Sequence, residues 1–214
     1  MTSRLGQLQE DFLAAFFRRE VRFFLTGGAA LAGFHLRHRE TQDLDLFVLE
    51  DVLDEGATKV AEVAREFGAT TESIITSPDF RRLLLRRGDE SVLIDLVRER
   101  VPQLLPQKPV IRGIRVDPPA EILANKLCAL LARAEIRDLV DVRALEAAGF
   151  QVENSIPGAA QKDAGLTPGQ LSWVLSQIRL GADLIPPGGV SRQELLDYIE
   201  NLTDRLARLA FPRL

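Results

Sequence analysis

Two aspartates near residue 44 have the types and spacing of a metal site. Asp43 and Asp45 are two residues apart in Asp43-Leu-Asp45-Leu-Phe47, whose apolar alternation is typical of a strand. Side chains at i and i+2 of a strand share a face, so the two carboxylates emerge together. Their repulsion is roughly 1 kcal/mol in water and grows as the site dries, which favours a raised pKa or a bound cation. Hard oxygen donors suit Mg²⁺ or Mn²⁺, although a solvated Asp-x-Asp on an exposed strand is the simpler alternative.

A glycine pair precedes these aspartates. Gly27-Gly28 lies between an apolar run, Val21–Leu25, and an apolar helical segment, Ala29–Leu36, which predicts strand, tight turn and helix. Paired glycines let the backbone approach a phosphate, and the first N–H groups of a helix favour an anion. A Gly-Gly turn is most often only a turn, and without a following Lys-Ser/Thr this one is not a P-loop.

A third aspartate interrupts the most apolar strand candidate. Asp95 lies within Ser91–Val97, a run that reads as a central, buried strand. A lone buried carboxylate is costly. If this strand lies beside the Asp43–Asp45 strand, three carboxylates converge on a site for two divalent ions that could assist an in-line displacement at phosphorus. The alternative is an aspartate that caps a loop at the strand end.

The remaining pattern of the first half alternates helix and strand. Leu5, Leu8, Phe12 and Phe16 form one stripe of an amphipathic helix, and a second helix is predicted from about residue 55 to 67. Strands are predicted at 43–49, near 70–76, 81–87 and 91–97, and around 110–116, with Gly88-Asp89 as a hairpin turn.

From residue 117 onward the period is helical. Three helix starts are marked: Asp117-Pro118, Thr167-Pro168 and the capping box Ser191-Arg-Gln-Glu194. The stretch 151–165 is predicted to be a connection with one short helix. We therefore expect an α+β chain with an α/β core over residues 1–116 and a helical bundle lobe over 117–214.

Composition excludes several kinds of protein. The chain has 214 residues, 46% of them hydrophobic, which is ordinary for a globular protein. A single cysteine and two histidines exclude an internal disulfide and a Cys- or His-rich metal site, so any metal must bind mainly to carboxylates. No apolar run is long enough to span a bilayer and no signal-peptide core is present, so we expect a cytoplasmic protein that does not enter the membrane.

The charge is distributed unevenly. The net charge is -4, yet residues 81–115 hold nine Lys or Arg against four Asp or Glu, or +5, which leaves -9 for the remainder. Solvated strand faces explain most such stretches. The alternative is contact with a polyanion such as an RNA backbone.

These residues resemble a known family. The Gly-Gly pair, an Asp-x-Asp fifteen residues later and a third aspartate on an apolar strand are similar to the nucleotidyltransferase fold of the DNA polymerase β superfamily. More narrowly, three blocks between about residues 23 and 145 resemble the AbiEii/AbiGii toxin-type nucleotidyltransferases. They are Leu25-Thr26-Gly27-Gly28-x-Ala30-Leu31, His38-Arg39-x-Thr41-x-Asp43-Leu44-Asp45-Leu46-Phe47, and Lys126 with Arg137-Asp138-Leu-Val-Asp141.

The resemblance implies a fold and a set of roles. The fold is a mixed sheet flanked by helices, with a C-terminal helical lobe. Gly27 and Gly28 would hold the triphosphate, and Arg39 would touch phosphate. Asp43 and Asp45 would bind the metal, with Asp95 as the third acid. Lys126 would contact the nucleotide phosphates as a catalytic residue, and Asp138 or Asp141 would complete the site from the helical lobe.

Some of these residues have equally simple explanations. Lys126 lies in an apolar helix, where lysines usually snorkel to solvent, and Asp138 and Asp141 could be helix-surface ion-pair members. The chain also departs from many relatives, which place Ser or Thr after the glycine pair where this chain has Ala29. The missing hydroxyl removes one hydrogen bond, worth about 0.5–1.5 kcal/mol of nucleotide binding.

The function that follows is Mg²⁺-dependent transfer of a nucleoside monophosphate from an NTP to a hydroxyl. The resemblance implies a toxin of a toxin–antitoxin or phage-defence pair, with tRNA or a protein as acceptor and a cognate antitoxin as partner. Two alternatives remain: a small-molecule nucleotidyltransferase of the antibiotic-modifying type, and a catalytically silent nucleotide-binding module. An Asp-x-Asp phosphatase fits less well, because there the first aspartate ends a strand, whereas Asp43 opens one.

Overall fold

The structure is a computed structural model that describes residues 4–211. The chain divides into two compact units. The core unit takes the chain up to Val101 together with Leu105–Pro118, and the helical unit takes Pro102–Leu104 and the chain from Pro119 onward. The sequence-based boundary lies between residues 116 and 117. The outermost residues of the two predicted domains, 1–3 and 212–214, lie outside the described part.

The core unit consists of a sheet, three helices and a small hairpin. Its helices are α1 (Gln7–Phe17), α2 (Gly27–Ala30, continued by a π-helical turn, Leu31–His35) and α3 (Leu53–Glu66). Its strands are β1 (Phe24–Thr26), β2 (Asp43–Val48), β3 (Thr70–Ser77), β4 (Phe80–Arg87), β5 (Glu90–Arg98), β6 (Val110–Ile111) and β7 (Ile114–Arg115).

Five strands form one mixed sheet in the order β1-β2-β5-β4-β3. Strands β2 and β5 run parallel, and the other neighbours run antiparallel. One face is apolar: Leu44 and Leu46 of β2 and Leu96 of β5 are fully buried. Helix α3 packs closely on this face, because a Cβ at Gly56 would lie 2.5 Å from the ring of Phe23 and 3.3 Å from Leu96. The mixed sheet with flanking helices that the sequence predicts is therefore observed.

The strand register places a row of polar residues on the opposite face. Thr26 of β1 pairs with Asp45 of β2, Asp45 with Asp95 of β5, and Asp95 with Arg82 of β4. Directly paired residues of neighbouring strands point to the same side of a sheet. Asp43 lies on this side too, two residues before Asp45.

The helical unit contains five α-helices among the described residues. They are α4 (Pro119–Arg133), α5 (Ile136–Ala147), α6 (Val152–Lys162), α7 (Pro168–Gln177) and α8 (Arg192–Ala210). Two predicted starts are confirmed: Thr167 Oγ1 accepts from the Gln170 amide, and Ser191 and Glu194 form the capping box. Arg205 of α8 ties the unit together, donating to Glu146 of α5 and Glu153 of α6 at 2.6 and 2.7 Å.

Several sequence-based boundaries shift. β1 begins at Phe24 and not at Val21, which is 63% exposed. The single strand predicted at 110–116 is a hairpin, because Arg112 and Gly113 both have positive φ and turn the chain. The helix predicted to start at Pro118 begins one residue later, and the stretch 151–165 holds the eleven-residue α6, longer than the short helix predicted there. None of the helices within residues 4–211 is long and apolar enough to cross a membrane.

Candidate active site

Asp43 and Asp45 lie at the start of β2 on the polar face of the sheet. The strand alternates half-exposed and buried residues, so its leucines anchor it from behind while both aspartates keep contact with solvent. A half-exposed carboxylate pair can bind a cation without the cost of burying two bare charges. The structure thus brings these two side chains together as the sequence predicted.

Gly27 is in contact with Asp45. Its φ is +63°, and a Cβ there would lie only 2.2 Å from Asp45 Oδ2. The first residue of α2 must therefore lack a side chain for two reasons, the left-handed backbone and the carboxylate beside it. The glycine turn and the Asp-x-Asp strand are therefore in direct contact.

Gly28 has a comparable neighbour of opposite charge. A Cβ there would lie 2.6 Å from Arg39 Nη2 and 3.4 Å from Thr41 Oγ1. Arg39 is buried, and its Nη1 donates to the carbonyl of Glu40 at 3.0 Å. A guanidinium and the first N–H groups of α2 therefore meet at Gly28, an arrangement that favours an anion.

Asp95 lies next to Asp45 in the parallel β2–β5 pair, but Arg82 binds both of its oxygens. Arg82 Nε lies 2.8 Å from Asp95 Oδ1 and Nη2 lies 2.6 Å from Oδ2. The hydrogen bonds to Asp95 raise the pKa of Arg82, burial opposes the rise, and the charges of Asp43 and Asp45 add to it. Arg82 therefore faces all three acids as a permanent cation.

Sequence reasoning did not single out Arg82, although a signal was present. The predicted Gly88-Asp89 turn is confirmed, with Arg87 opposite Glu90. Counting back along that hairpin from 87 and forward from 90 places residue 82 opposite residue 95. The position of the turn alone therefore predicts that Arg82 pairs with Asp95.

A buried network supports the glycine turn. Asp117 accepts from Thr26 Oγ1 at 2.6 Å and from Lys108 Nζ at 2.7 Å, and His35 Nε2 lies 2.9 Å from its carbonyl oxygen. Lys108 also lies over the ring of Phe24, 4.7 Å from its centroid. Thr26 directly precedes Gly27, so the network fixes the start of the turn. Asp117, predicted as a helix N-cap, holds the core unit together through this carboxylate.

In the helical unit, Lys126 lies between two carboxylates. Its Nζ is 2.7 Å from Asp138 Oδ1 and 2.7 Å from Asp141 Oδ2, and both acids are fully buried. Arg133 also binds Asp138, with Nε 3.0 Å from Oδ2. The sequence alone predicted that Lys126 reaches towards solvent and that Asp138 and Asp141 form ion pairs on the helix surface. Both predictions are wrong, because all three side chains are buried. The three residues form a buried ion cluster.

The acidic residues of the core unit fit a divalent cation in one particular way. Within residues 4–211, no group of three or more His, Cys, Asp or Glu side chains is arranged to hold a metal ion. Asp95 is buried with both oxygens on Arg82, whereas Asp43 and Asp45 are half-exposed. Mg²⁺ is commonly bound by one or two carboxylates, with substrate phosphates and water completing its shell. The pair fits that mode.

The comparisons with known proteins agree with this geometry. The model of the family described as nucleotidyl transferase AbiEii toxin, type IV toxin–antitoxin system, matches residues 11–166. The chain belongs to the AbiEii nucleotidyltransferase toxin family. It is therefore an enzyme that transfers nucleotidyl groups. No curated protein matches the chain at a significant level.

Solved structures show the same fold at low identity. MenT4, a nucleotidyltransferase toxin of Mycobacterium tuberculosis, superimposes with a TM-score of 0.63 at 20% identity, over 96% of this chain and 83% of its own. JHP933 of Helicobacter pylori gives 0.59 at 19% identity, over 95% and 92%. ANT(2'')-Ia, solved with adenylyl-2''-tobramycin, gives 0.51 at 18% identity, over 73% and 95%.

In this AbiEii-family chain, the basic stretch 81–115 is mostly engaged within the fold. Six of its nine basic side chains form ion pairs with carboxylates: Arg81, Arg82, Arg87, Arg98, Arg100 and Lys108. Arg112 donates to the carbonyl of Gly33 and stacks on Phe34. Most basic side chains of the stretch are therefore bound to other groups of the fold and do not form an exposed basic surface.

Proposed function

We propose that this AbiEii-family enzyme transfers a nucleoside monophosphate from an NTP to a hydroxyl of a tRNA or protein acceptor, with pyrophosphate as the leaving group and Mg²⁺ or Mn²⁺ as the cofactor. The observation that carries the proposal is the contact of the glycine turn with the two acids. Gly27 lies against the Asp45 carboxylate and Gly28 against the Arg39 guanidinium. A triphosphate and its cation need these two environments side by side.

Each residue has a part in this proposal. Asp43 and Asp45 hold the cation, and Asp95 is the third acid of the same sheet face. The backbone at Gly27 and Gly28 approaches the triphosphate, and Arg39 contributes positive charge there. The cation, when bound, would neutralise charge on the phosphate oxygens and activate the hydroxyl oxygen for attack.

The family resemblance extends the proposal to the helical unit. Lys126, Asp138 and Asp141 would contact the nucleotide. Because Lys126 already binds both carboxylates, a phosphate that it contacts would share its three donor protons with them. The family also implies a cognate antitoxin, so we expect expression of the protein to arrest growth and the antitoxin to relieve that arrest.

The test is transfer of label from each α-labelled NTP in a cell extract supplied with Mg²⁺. Asp45→Asn removes one metal ligand with little change in shape. Losing even an outer-shell partner of a metal site costs roughly 10–100-fold in activity, so losing a ligand should cost more than about a hundredfold. Asp89→Asn, in the exposed Gly88-Asp89 turn, is the matched control and should keep full activity.

The fraction that acquires label identifies the acceptor. Label in tRNA or in protein, lost with Asp45→Asn, supports the proposal. Label only in small molecules would instead support the antibiotic-modifying type of enzyme. Transfer that survives Asp45→Asn would contradict the metal site.

A further inference from the structure

The polar face of the sheet carries Asp43, Asp45 and Asp95, with the guanidinium of Arg82 beside Asp95. Asp45, Asp95 and Arg82 lie in one cross-strand row, and Asp43 lies two residues before Asp45 on the same side of the sheet. Arg82 is the basic member of that row, and its pKa reflects the charges of all three acids.

The Arg82–Asp95 pair is well held. Both hydrogen bonds are charge-assisted and bidentate, the strongest geometry open to this pair of side chains. The Asp95 side chain is 9% exposed, and the guanidinium also lies over the ring of Phe80, 5.5 Å from its centroid. Phe80 and Arg82 are i and i+2 on β4, so the ring and the cation share the polar face.

A metal ion that took an oxygen of Asp95 would have to displace one of these bonds at a nearly buried carboxylate. The released guanidinium would then lie beside a divalent cation of the same sign. Asp43 and Asp45 offer carboxylates that are more open to solvent. The lower-cost arrangement leaves the ion pair intact.

We infer that Arg82 is a fixed counter-cation that keeps Asp95 out of the metal's coordination shell, so that Asp43 and Asp45 supply the protein's metal ligands. Arg82 is in this sense a positioning residue: it occupies both carboxylate oxygens of Asp95 and acts on the metal site through that residue. The inference rests on the proposed function and assigns a different part to the third acid.

Binding of Mn²⁺ to the full-length protein tests this inference, measured from the electron paramagnetic resonance signal of free Mn²⁺ at pH 8 without nucleotide. Three variants complete a cycle with the wild type: Asp95→Asn, Arg82→Gln and the double variant. At about 6 Å in water, one unit charge changes the affinity for a divalent ion roughly tenfold. Asp95→Asn should therefore weaken Mn²⁺ binding about tenfold, and Arg82→Gln should strengthen it by a similar factor.

The double variant decides between positioning and ligation. It lacks both members of the pair, one acid and one base, so the net charge around the metal site is the same as in the wild type. If Asp95 acts only through Arg82, the double variant should bind Mn²⁺ within about threefold of the wild type. A double variant that binds as weakly as Asp95→Asn, or more weakly, would show that Asp95 is a ligand and overturn the inference.

Two controls keep the result interpretable. Arg82→Gln leaves a buried carboxylate without its partner; if it does not fold, as judged by circular dichroism, the double variant, which has no buried charge at the pair, still decides. Asp43→Asn/Asp45→Asn should bind no Mn²⁺ in this range. Wild-type Mn²⁺ binding in that variant would instead refute the metal site of the proposed function, whatever the cycle shows.

Discussion

At the residue scale, Gly27 links backbone geometry directly to the acidic pair. A methyl group at this position would meet Asp45 Oδ2 at 2.2 Å, so Gly27→Ala must move the carboxylate or the turn. Displacing a catalytic group by about 1 Å can cost roughly a hundredfold in rate. We expect Gly27→Ala to lower nucleotidyl transfer by about that factor, measured as incorporation of labelled nucleotide at saturating NTP.

Gly68→Ala is the control for backbone strain. Gly68 has a φ of +71° and no heavy atom within 4 Å of its missing Cβ, so alanine there has the left-handed penalty without a clash. It should destabilise the fold by about 1 kcal/mol and leave transfer unchanged. Equal losses of transfer in the two variants would mean that strain, and not contact with Asp45, makes Gly27 necessary.

Gly28→Ala should be milder than Gly27→Ala and act on a different quantity. The atom that its methyl group would meet is Arg39 Nη2, the far end of a flexible side chain. Arg39 can move, but it then moves away from the anion site at the start of α2. We expect KM for NTP to rise several-fold with kcat nearly unchanged, in steady-state kinetics. A fall in kcat equal to that of Gly27→Ala would contradict a binding role for Arg39.

At the element scale, helices α4 and α5 depend on the buried ion cluster of Lys126. Burial lowers the pKa of Lys126, but the charges of Asp141 and Asp138 outweigh burial, so its pKa lies above the usual 10.5. Removing one partner of a buried ion pair typically costs about 3–5 kcal/mol. We expect Lys126→Met to lower the free energy of unfolding by that amount in urea titrations.

The pH range of this effect follows from the sign of the shift. A lysine whose pKa is raised by folding stabilises fully below its unfolded value and loses that contribution as pH rises through the folded value. The titration of Lys126 should therefore leave the difference in unfolding free energy between wild type and Lys126→Met constant up to about pH 10. Above that pH, the difference should shrink. Lys59→Met breaks an exposed pair with Glu62 and should cost less than about 1 kcal/mol.

Elements whose signals were local were predictable, and contacts between distant segments were not. The alternation around Asp43, the Gly88-Asp89 turn and the cap at Ser191 each depend on a few neighbouring residues, and all three occur. The link from Thr26 to Asp117 spans 91 residues and has no local pattern. The buried state of Asp138 and Asp141 likewise depends on how α4 packs on α5, which periodicity does not specify.

At the scale of the whole molecule, the net charge of the stretch 81–115 overstates how many of its positive charges are available to a polyanion. Its nine basic residues look available in sequence, but six of them pair with acids from several segments of the fold, which leaves about three uncompensated charges. The acids that neutralise them, such as Asp51, Asp54 and Asp79, lie outside the stretch itself. A count over consecutive residues therefore overstates the attraction for a polyanion.

The dependence of RNA binding on salt measures how many of these charges are available. Each phosphate contact contributes roughly -0.7 to the slope of log K against log salt for a single strand, so nine contacts would give about -6 and three about -2. For binding of a single-stranded RNA between 50 and 200 mM KCl, we expect a slope near -2. The variant Asp51→Asn/Asp79→Asn releases Arg98 and Arg100 from their partners and should steepen the slope by about 1.4 while strengthening binding. A wild-type slope near -6, unchanged in the variant, would mean that RNA already draws these arginines away from their carboxylates, and the paired surface would then be the acceptor site.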